Sequence, residues 1–203
     1  MFIITLVLFF LAVIVHEYAH GWVAWKLGDP TAKNAGRLTL NPIAHIDPIG
    51  TVFLPVLLLI TGSQFIFGWA KPVPVNFSSL NNPKKDMVWV GLAGPLANII
   101  FAILLSFLLK LFVLTRIGFT PQLVVSSAIL INLVLAVFNI LPIPPLDGSR
   151  VAMGLLPRNI AIKYASLERY GFMIIFALLF LGVINSVIWP LATFLARLLG
   201  VSI

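Results

Sequence analysis

Two histidines and a glutamate near the start of the chain are spaced for metal chemistry. They belong to the sequence His16-Glu17-Tyr18-Ala19-His20, an H-E-x-x-H pattern. On a helix of about 3.6 residues per turn, His16 and His20 lie about 40° apart, so both imidazoles can reach one metal ion. Glu17 lies about 60° from His20, close enough to meet a metal-activated water without being a ligand. The pattern therefore predicts two zinc ligands and a general base.

The depth of this pattern in a bilayer makes it more informative. Residues 2–15, which precede His16, form a mainly apolar run of fourteen residues that rises about 21 Å as a helix. Because a bilayer core is about 30 Å thick, we expect His16 to lie well inside it. A charge there costs at least about 2.5–3.5 kcal/mol, so ionisable groups at that depth generally serve a function. The alternative is a structural pair of histidines that caps a shallower helix.

A catalytic zinc site needs a third protein ligand, and Asp147 is the strongest candidate. The chain has no cysteine, so the ligand must come from its three histidines or six acidic residues. Asp147 follows an apolar run broken by prolines at 142, 144 and 145, and broken helices at membrane depth are tolerated where they line a cavity. Asp147, Glu17, two neutral imidazoles and a divalent ion also sum to zero charge, which costs least in a low dielectric. Alternatively, Asp147 belongs to a surface turn.

Other polar residues are weaker candidates for the site. His45 lies in a turn-rich loop and competes as third ligand, although a histidine in such a loop more often makes a structural hydrogen bond. Asn139 ends an apolar run, where it either terminates the helix or donates to a developing oxyanion or to substrate backbone. Asp29 and Asp47 have the setting of turn residues, and Glu168 that of an interfacial charge.

The composition requires a membrane around these residues. Of 203 residues, 61% are hydrophobic and 9% are charged, whereas a soluble chain has about 25% charged residues. Such a chain could not keep a soluble surface hydrated. The net charge of +7 arises mainly between apolar runs, where the positive-inside rule and anionic lipid headgroups explain it, so we expect lipid contacts and no nucleic acid. The length suits a single domain, residues 1–203.

Five apolar runs define the expected architecture: 2–25, 51–69, 87–114, 121–141 and 172–197. The predicted fold class is an all-α polytopic membrane protein with about five to six transmembrane helices. One helix is broken near Pro142–Pro145, and a shorter helix over 149–156 should complete its crossing. Pro190 should kink the last helix, which covers about 170–197. Residues 36–40 and 71–75 should form short membrane-associated extended or β segments in loops.

Strict alternation of these spans leaves a conflict, because it places His16 and Asp147 toward opposite sides of the membrane. The two meet if the fourth run breaks near mid-membrane or if the run 51–69 is re-entrant. The prolines between 142 and 145 favour the break, which we expect, while Pro55 and Gly62 permit re-entry. Alternation also places six basic residues on one side and seven on the other, so it leaves the orientation undecided.

The two metal motifs together resemble those of the site-2 protease family of intramembrane metalloproteases. H-E-x-x-H in a membrane helix is paired with Asn-x-x-Pro-x-x-x-Leu-Asp-Gly at residues 139–148. The Gly-Pro-x-x-Asn element at 94–98, the loop 41–50 and the segment 68–75 are also similar to the family's. The resemblance covers about residues 10–157 and corresponds to a minimal form without a PDZ or CBS module.

The resemblance implies a function and a set of site residues. It implies one Zn²⁺ per chain held by His16, His20 and Asp147, with Glu17 as catalytic base and Asn139 assisting the substrate or oxyanion. It also implies hydrolysis of transmembrane segments of membrane proteins, that is, regulated intramembrane proteolysis, in a multi-pass protein of a bacterial or archaeal cell membrane. The substrate, the trigger and the oligomeric state stay open.

Two other functions are compatible with metal ligands inside a membrane. A metal transporter would use the same ligand types but needs further polar residues along its spans, and these are few. A catalytically silent protein that grips membrane helices is the other possibility, and the intact Glu17 argues against it because a structural zinc needs ligands only.

Overall fold

The computed structural model describes residues 2–61 and 68–201, and all regular secondary structure in them is helical. The α-helices are α1 (Phe2–Lys26), α2 (Thr31–Asn34), α3 (Leu54–Ile60), α4 (Pro83–Leu114), α5 (Phe119–Asn139), α6 (Asp147–Leu155), α7 (Arg158–Ala165), α8 (Gly171–Phe180) and α9 (Trp189–Leu198). Short 3-10 helices cover Pro42–His45, Phe77–Ser79 and Ser166–Tyr170, and π-helical turns cover Pro48–Phe53 and Ile184–Ile188.

Three helices, α1, α4 and α5, are long and apolar enough to cross a membrane. They contain 25, 32 and 21 residues and rise about 37, 48 and 31 Å, against about 30 Å for a bilayer core. Large apolar side chains such as Ile3, Phe107 and Leu114 are exposed on them, as a lipid-facing surface requires. The protein is therefore an all-α membrane protein, but the predicted five to six spans are not confirmed by the described residues.

Hydrogen bonds fix how the three long helices lie together. Asn81, just before α4, donates its N–H to the Leu27 carbonyl just after α1 (2.8 Å), and Asn98 of α4 donates to the Ala12 carbonyl of α1 (3.2 Å). Helices α1 and α4 are therefore antiparallel, and α5 returns parallel to α1. We call the side where α1 ends and α4 begins the near side, and the side of the α4–α5 turn the far side.

The fourth apolar run is broken where the prolines predicted it. Helix α5 ends at Asn139 and α6 begins at Asp147. Gly148 packs so closely against the carbonyls of Ile140 and Leu141 that a Cβ atom would collide with them. This contact returns the chain to a helix immediately after the break and places Asp147 at the first turn of α6.

Helix α6 continues the crossing that α5 begins. A Cβ at Gly91 of α4 would meet the Asp147 carbonyl at 3.0 Å, and one at Gly154 would meet the Lys84 carbonyl at 2.8 Å. Helix α6 thus follows α4 from the depth of the break to the near side, as expected for 149–156.

The apolar run 51–69 returns to the side from which it started. Its helical part, Pro48–Phe53 and α3, contains six and seven residues, which together rise about 20 Å. The Trp69 N–H donates to the Gly50 carbonyl (3.1 Å), and the Thr51 hydroxyl donates to the Trp69 carbonyl (2.8 Å). Because its two ends are joined on the near side, this run is re-entrant. Residues 62–67 lie outside the described part of the chain.

The structure thus contains both solutions to the conflict left by strict alternation. The re-entry makes α5 enter from the far side, as α1 does, and the break allows α6 to begin beside α1. We expected the break alone. The segments 37–41 and 68–76 have no regular secondary structure, so the predicted β character of 36–40 and 71–75 is not confirmed.

The last apolar run is two helices rather than one kinked span. Helix α8 ends at Phe180, and Gly182, with φ +73°, turns the chain before a π-helical turn leads into α9. Pro190 is the second residue of α9, which directly follows the π-helical turn Ile184–Ile188, and the kink predicted at Pro190 stays a prediction. The buried Ala192 and Ala196 of α9 pack in one apolar cluster with residues of α4 and α5.

Residues 158–170, which we call the return segment, fold back over the break. The Tyr164 hydroxyl donates to the Pro142 carbonyl (2.5 Å), Arg150 of α6 pairs with Glu168, and a Cβ at Gly171 would meet the Pro145 ring at 2.7 Å. This segment was not predicted from the sequence, because its short helices carry no strong apolar periodicity.

Candidate metal centre

Side chains from α1 and α6 converge although they are 131 residues apart in sequence. The Nε2 atoms of His16 and His20 are 3.0 Å apart. Asp147 places Oδ2 at 2.9 Å from Nε2 of His16 and Oδ1 at 3.2 Å from Nε2 of His20. A tetrahedral ion with bonds of about 2.0–2.1 Å has neighbouring ligand atoms about 3.3 Å apart. The spacing of the three groups suits one small divalent ion.

Hydrogen bonds at the other ring nitrogen orient both imidazoles. His16 donates from Nδ1 to Oδ1 of Asn98 (2.6 Å), and His20 donates from Nδ1 to the Val90 carbonyl (2.6 Å). With these protons on Nδ1, the neutral rings carry lone pairs on Nε2. Both lone pairs face each other and the Asp147 carboxylate, with no proton between them. Acceptors that converge in this way repel one another unless a cation lies between them. Histidine ligands of metal sites usually donate their second ring N–H to such a partner.

A chain of buried amides holds Asn98 in the orientation that His16 needs. The Nδ2 of Asn98 donates to the Ala12 carbonyl and to Oδ1 of Asn132 (2.7 Å), and Asn132 in turn donates to the Ala128 carbonyl. Since both protons of its amide nitrogen are used, Asn98 presents its oxygen to His16. Asn98 and Asn132 are buried, so the network fixes the acceptor that orients the His16 ring.

Gly94 of α4 lies directly against the ligand nitrogens. A Cβ at this position would collide with Nε2 of both His16 and His20. The absence of a side chain leaves room beside the ligand atoms and lets α4 pack closely on α1. The chemistry of the donor set and this space both fit a zinc ion.

Glu17 lies beside the ligand group and is not part of it. Its carboxylate lines the same cavity of about 390 Å³ as the three ligands, while the group whose ligand atoms lie within 4.8 Å of one another is His16, His20 and Asp147. Oε2 of Glu17 accepts a hydrogen bond from the backbone N–H of Val73 (2.7 Å). This arrangement suits a base that acts on a water molecule next to the metal position.

The segment that carries Val73 is anchored at both ends. The Arg37 guanidinium donates to the Lys71 carbonyl (2.8 Å), and the N–H of Asn76 donates to the buried Asp29 carboxylate (2.6 Å). Proline has no N–H, so Val73, between Pro72 and Pro74, supplies the one backbone donor of these three residues. That donor is used to hold Glu17.

His45 does not lie at the metal centre. It is fully buried, it donates from Nε2 to the Thr39 carbonyl (2.8 Å), and its own carbonyl accepts from the Lys71 N–H (2.9 Å). It therefore has the structural role that was the alternative to ligation. Asp47 and Asp29 accept backbone N–H bonds within turns, as predicted.

Asn139 lies in the wall of the cavity, at the end of α5. Its Nδ2 donates to the Leu135 carbonyl one turn earlier (3.0 Å). This bond is typical of a polar residue that ends a helix, while its place in the cavity wall suits a substrate contact. Both interpretations from the sequence stay open.

Asn132 and Val73 support the site and were not predicted from the sequence. Asn132 carried a signal, because an isolated asparagine within an apolar run generally has a buried partner. Val73 carried no such signal, because it holds Glu17 through its backbone N–H, which every residue type except proline has.

Fold and site together define a helical membrane protein with a candidate metal centre of two histidines and one aspartate. A family model described as Peptidase family M50 matches residues 4–122 and 114–182. YwhC of Bacillus subtilis is 43% identical over 196 residues, covering 93% of this chain and 84% of that protein. Rip2 of Mycolicibacterium smegmatis is 29% identical over 208 residues, covering 99% and 76%. Both carry the name "Putative zinc metalloprotease". No solved structure matches significantly.

The chain belongs to peptidase family M50, the site-2 proteases, and is a metalloprotease. The resemblance drawn from its two motifs is confirmed. The match extends past residue 157 to 182 and so includes the return segment.

Proposed function

We propose that this chain is an intramembrane endopeptidase with one Zn²⁺, and that residues 1–203 form its single catalytic domain. Its substrates are transmembrane segments of membrane proteins, so its activity is regulated intramembrane proteolysis. The observation that carries the proposal is the convergence of His16, His20 and Asp147 within 4.8 Å, among helices that are long and apolar enough to cross a membrane.

Each residue of the centre has a distinct task in this proposal. His16, His20 and Asp147 hold the zinc ion, which supplies Lewis-acid activation of a water molecule and of the substrate carbonyl. Glu17 takes a proton from the attacking water and passes it to the leaving amine. Asn139 exchanges its bond to the Leu135 carbonyl for one to the substrate, either at the developing oxyanion or at the backbone.

The substrate must be unwound before this chemistry can take place, because a helical peptide bond is shielded by its own hydrogen bonds. The segment 71–75 and the loop 37–40 are non-helical and lie beside α1, and they offer the unwound chain a surface to pair with. Photo-cross-linking from single cysteines in these segments tests this step. Cross-linking no stronger than from a cysteine on the lipid-facing surface of α4 would exclude it.

The distribution of charge supports a cytoplasmic near side. Ten of the thirteen basic residues belong to the near half of the protein, and three lie on the far side, Lys110, Arg116 and Arg197. By the positive-inside rule the near side faces the cytoplasm of a bacterial or archaeal cell. Strict alternation of five spans had placed six basic residues on one side and seven on the other. The division changes to three and ten because the run 51–69 does not cross the membrane. Thiol labelling of intact cells at cysteines replacing Lys85 and Arg116 tests it, and labelling of Lys85→Cys alone from outside would reverse the assignment.

Transport of metal ions is not supported by the interior of the protein. Toward the far side, beyond Asn132, the buried residues between α4, α5 and α9 are almost all apolar, including Ala102, Ile129 and Val125. The hydroxyl of the buried Ser106 is bonded within its own helix. An ion leaving the centre would find no polar relay through this cluster.

The decisive experiment is the substitution Glu17→Gln in purified protein reconstituted into liposomes. Because Glu17 acts as base and is not a ligand, zinc content should stay at one per chain while cleavage of single-span substrates falls about 10²–10⁴-fold. Metal analysis and a gel-based cleavage assay measure the two quantities. Cleavage at the wild-type rate by Glu17→Gln would overturn the mechanism.

A further inference from the structure

Arg150 is the one cationic residue among the described residues that line the metal cavity. It lies three residues after Asp147 on α6, about one turn closer to the near side. Its guanidinium lies 5.4 Å from the centre of the Phe77 ring, which also lines the cavity. The side chain lines the cavity and is 26% exposed, so its charge is not fully covered by protein. A cation in this place can contact whatever chain lies across the metal ligands.

The carboxylate that Arg150 binds in the structure comes from outside the cavity. Nη2 of Arg150 lies 2.5 Å from Oε1 of Glu168 in the return segment, and the Glu168 side chain is 42% exposed. In residues 2–61 and 68–201 this is the one pair of an arginine or lysine with an acidic side chain. An exposed pair of this kind contributes little to stability, because water screens the charges and solvates them well when they separate. A carboxylate from another chain can therefore replace Glu168 with little loss.

The other near-side acids are not available to such an exchange. Asp29, Asp47 and Asp86 each accept hydrogen bonds from backbone N–H groups close to them in the fold. The near half carries ten basic and six acidic residues, and this excess of positive charge favours the approach of acidic chains. We call Phe77, Arg150 and Glu168 the cavity rim.

Building on the proposed protease function, we propose that Arg150 is a specificity-determining residue that binds an aspartate or glutamate of the substrate. Glu168 occupies the guanidinium until a substrate carboxylate displaces it. The planar fork of arginine pairs with a carboxylate through two parallel hydrogen bonds, which favours an acidic side chain over an amide. Since an extended chain advances about 3.3 Å per residue, the acidic residue lies within about three residues of the cleaved bond, on its near side.

The first test uses wild-type protein and changes only the substrate. Single-span substrates that carry Asp, Asn or Lys at one position within three residues of the cleaved bond are compared by kcat/KM in liposomes. We expect the Asp substrate to be cleaved about tenfold faster than the Asn substrate, with the Lys substrate slowest. Equal rates at every position scanned would overturn the proposal without touching the proposed function.

The second test assigns the preference to Arg150. Arg150→Glu should reverse the order of the Asp and Lys substrates, and Arg150→Gln should abolish the preference, both with zinc content unchanged. Glu168→Gln should lower the KM for the Asp substrate, because the competing carboxylate is removed. The matched control is Arg169→Gln, which removes a neighbouring near-side charge outside the cavity and should keep the wild-type order.

The outcomes separate the two proposals. An unchanged order in Arg150→Glu and Arg150→Gln, or a lost preference in Arg169→Gln, would show that general near-side charge selects the substrate and would overturn the role of Arg150. Failure of the zinc-loaded wild type to cleave any of the substrates would instead overturn the proposed function and the inference with it.

Discussion

The metal centre and the cavity rim are held by different kinds of contact. At the centre, His16 and His20 are buried, and the Nδ1 of each ring donates a hydrogen bond to a buried acceptor of α4. At the rim, Arg150 and Glu168 form an exposed pair. A buried polar group that loses its partner is costly, whereas an exposed pair exchanges partners with little change in free energy. The hydrogen bonds of the centre therefore hold its side chains in one arrangement, whereas Arg150 at the rim can exchange Glu168 for another carboxylate.

The largest effect should follow from removing the third ligand. Asp147→Ala leaves two imidazole lone pairs facing each other with no carboxylate, so zinc binding should be lost and cleavage should fall about 10³-fold or more. Metal analysis and the cleavage assay measure this. Asp47→Ala removes an aspartate that caps a turn outside the cavity and should keep its zinc. Full zinc content in Asp147→Ala would show that the ligand set is wrong.

A nearly equal effect is expected from adding one methyl group to the centre. Gly94→Ala places a Cβ against both Nε2 atoms, so zinc occupancy should fall about tenfold or more while helicity by circular dichroism is kept. Gly118→Ala is the control, because a Cβ there meets nothing within 4 Å. If Gly94→Ala holds zinc as the wild type does, the close packing of α4 on the ligands is wrong.

A smaller effect should follow from loosening the support of His16. Asn98→Ala removes the acceptor of the His16 Nδ1 proton, so zinc affinity measured by chelator competition should weaken about 10–100-fold. Ser106→Ala, which changes a buried residue of the same helix bonded only to Ile103, should keep wild-type affinity. Equal affinities of the two variants would remove Asn98 from the centre.

The smallest effect of the four is expected where the centre meets the extended segment. Val73→Pro deletes the N–H that holds Glu17, so kcat should fall about tenfold with zinc content unchanged. Val73→Ala keeps the N–H and should have nearly wild-type kcat. A parallel loss in both variants would indicate that the side chain matters and the hydrogen bond does not.

Much of the centre could be predicted because its determinants are local. The spacing of His16, Glu17 and His20 acts through helical periodicity, and prolines between 142 and 145 end α5 because they lack the N–H that a helix needs. Asp147 was also predicted to join the two histidines, from charge and from the broken helix, and the structure places its carboxylate beside them. The contributions of backbone groups, such as the Val73 N–H and the Val90 carbonyl, could not be predicted, because nearly every residue type has the same backbone donor and acceptor.

The course of the chain was predicted less well, and the errors have a common cause. Apolar length does not distinguish a span from a re-entrant segment, so the return of Trp69 to Gly50 was only one of two possibilities. Composition likewise did not show that Gly182 divides the last run or that the return segment covers the break. Each of these features depends on contacts between residues distant in the chain.

The sequence by itself determined that this protein lies in a membrane, and it predicted two zinc ligands and a base on one helix, with a distant aspartate as the third ligand. These follow from composition, helical spacing and proline chemistry, which act within a few residues. Only the tertiary structure decided that 51–69 turns back, that most positive charge lies on the near side, and that Arg150 shares a cavity with the metal ligands. Those facts depend on packing between segments, because chains of similar local propensity can cross or re-enter a membrane.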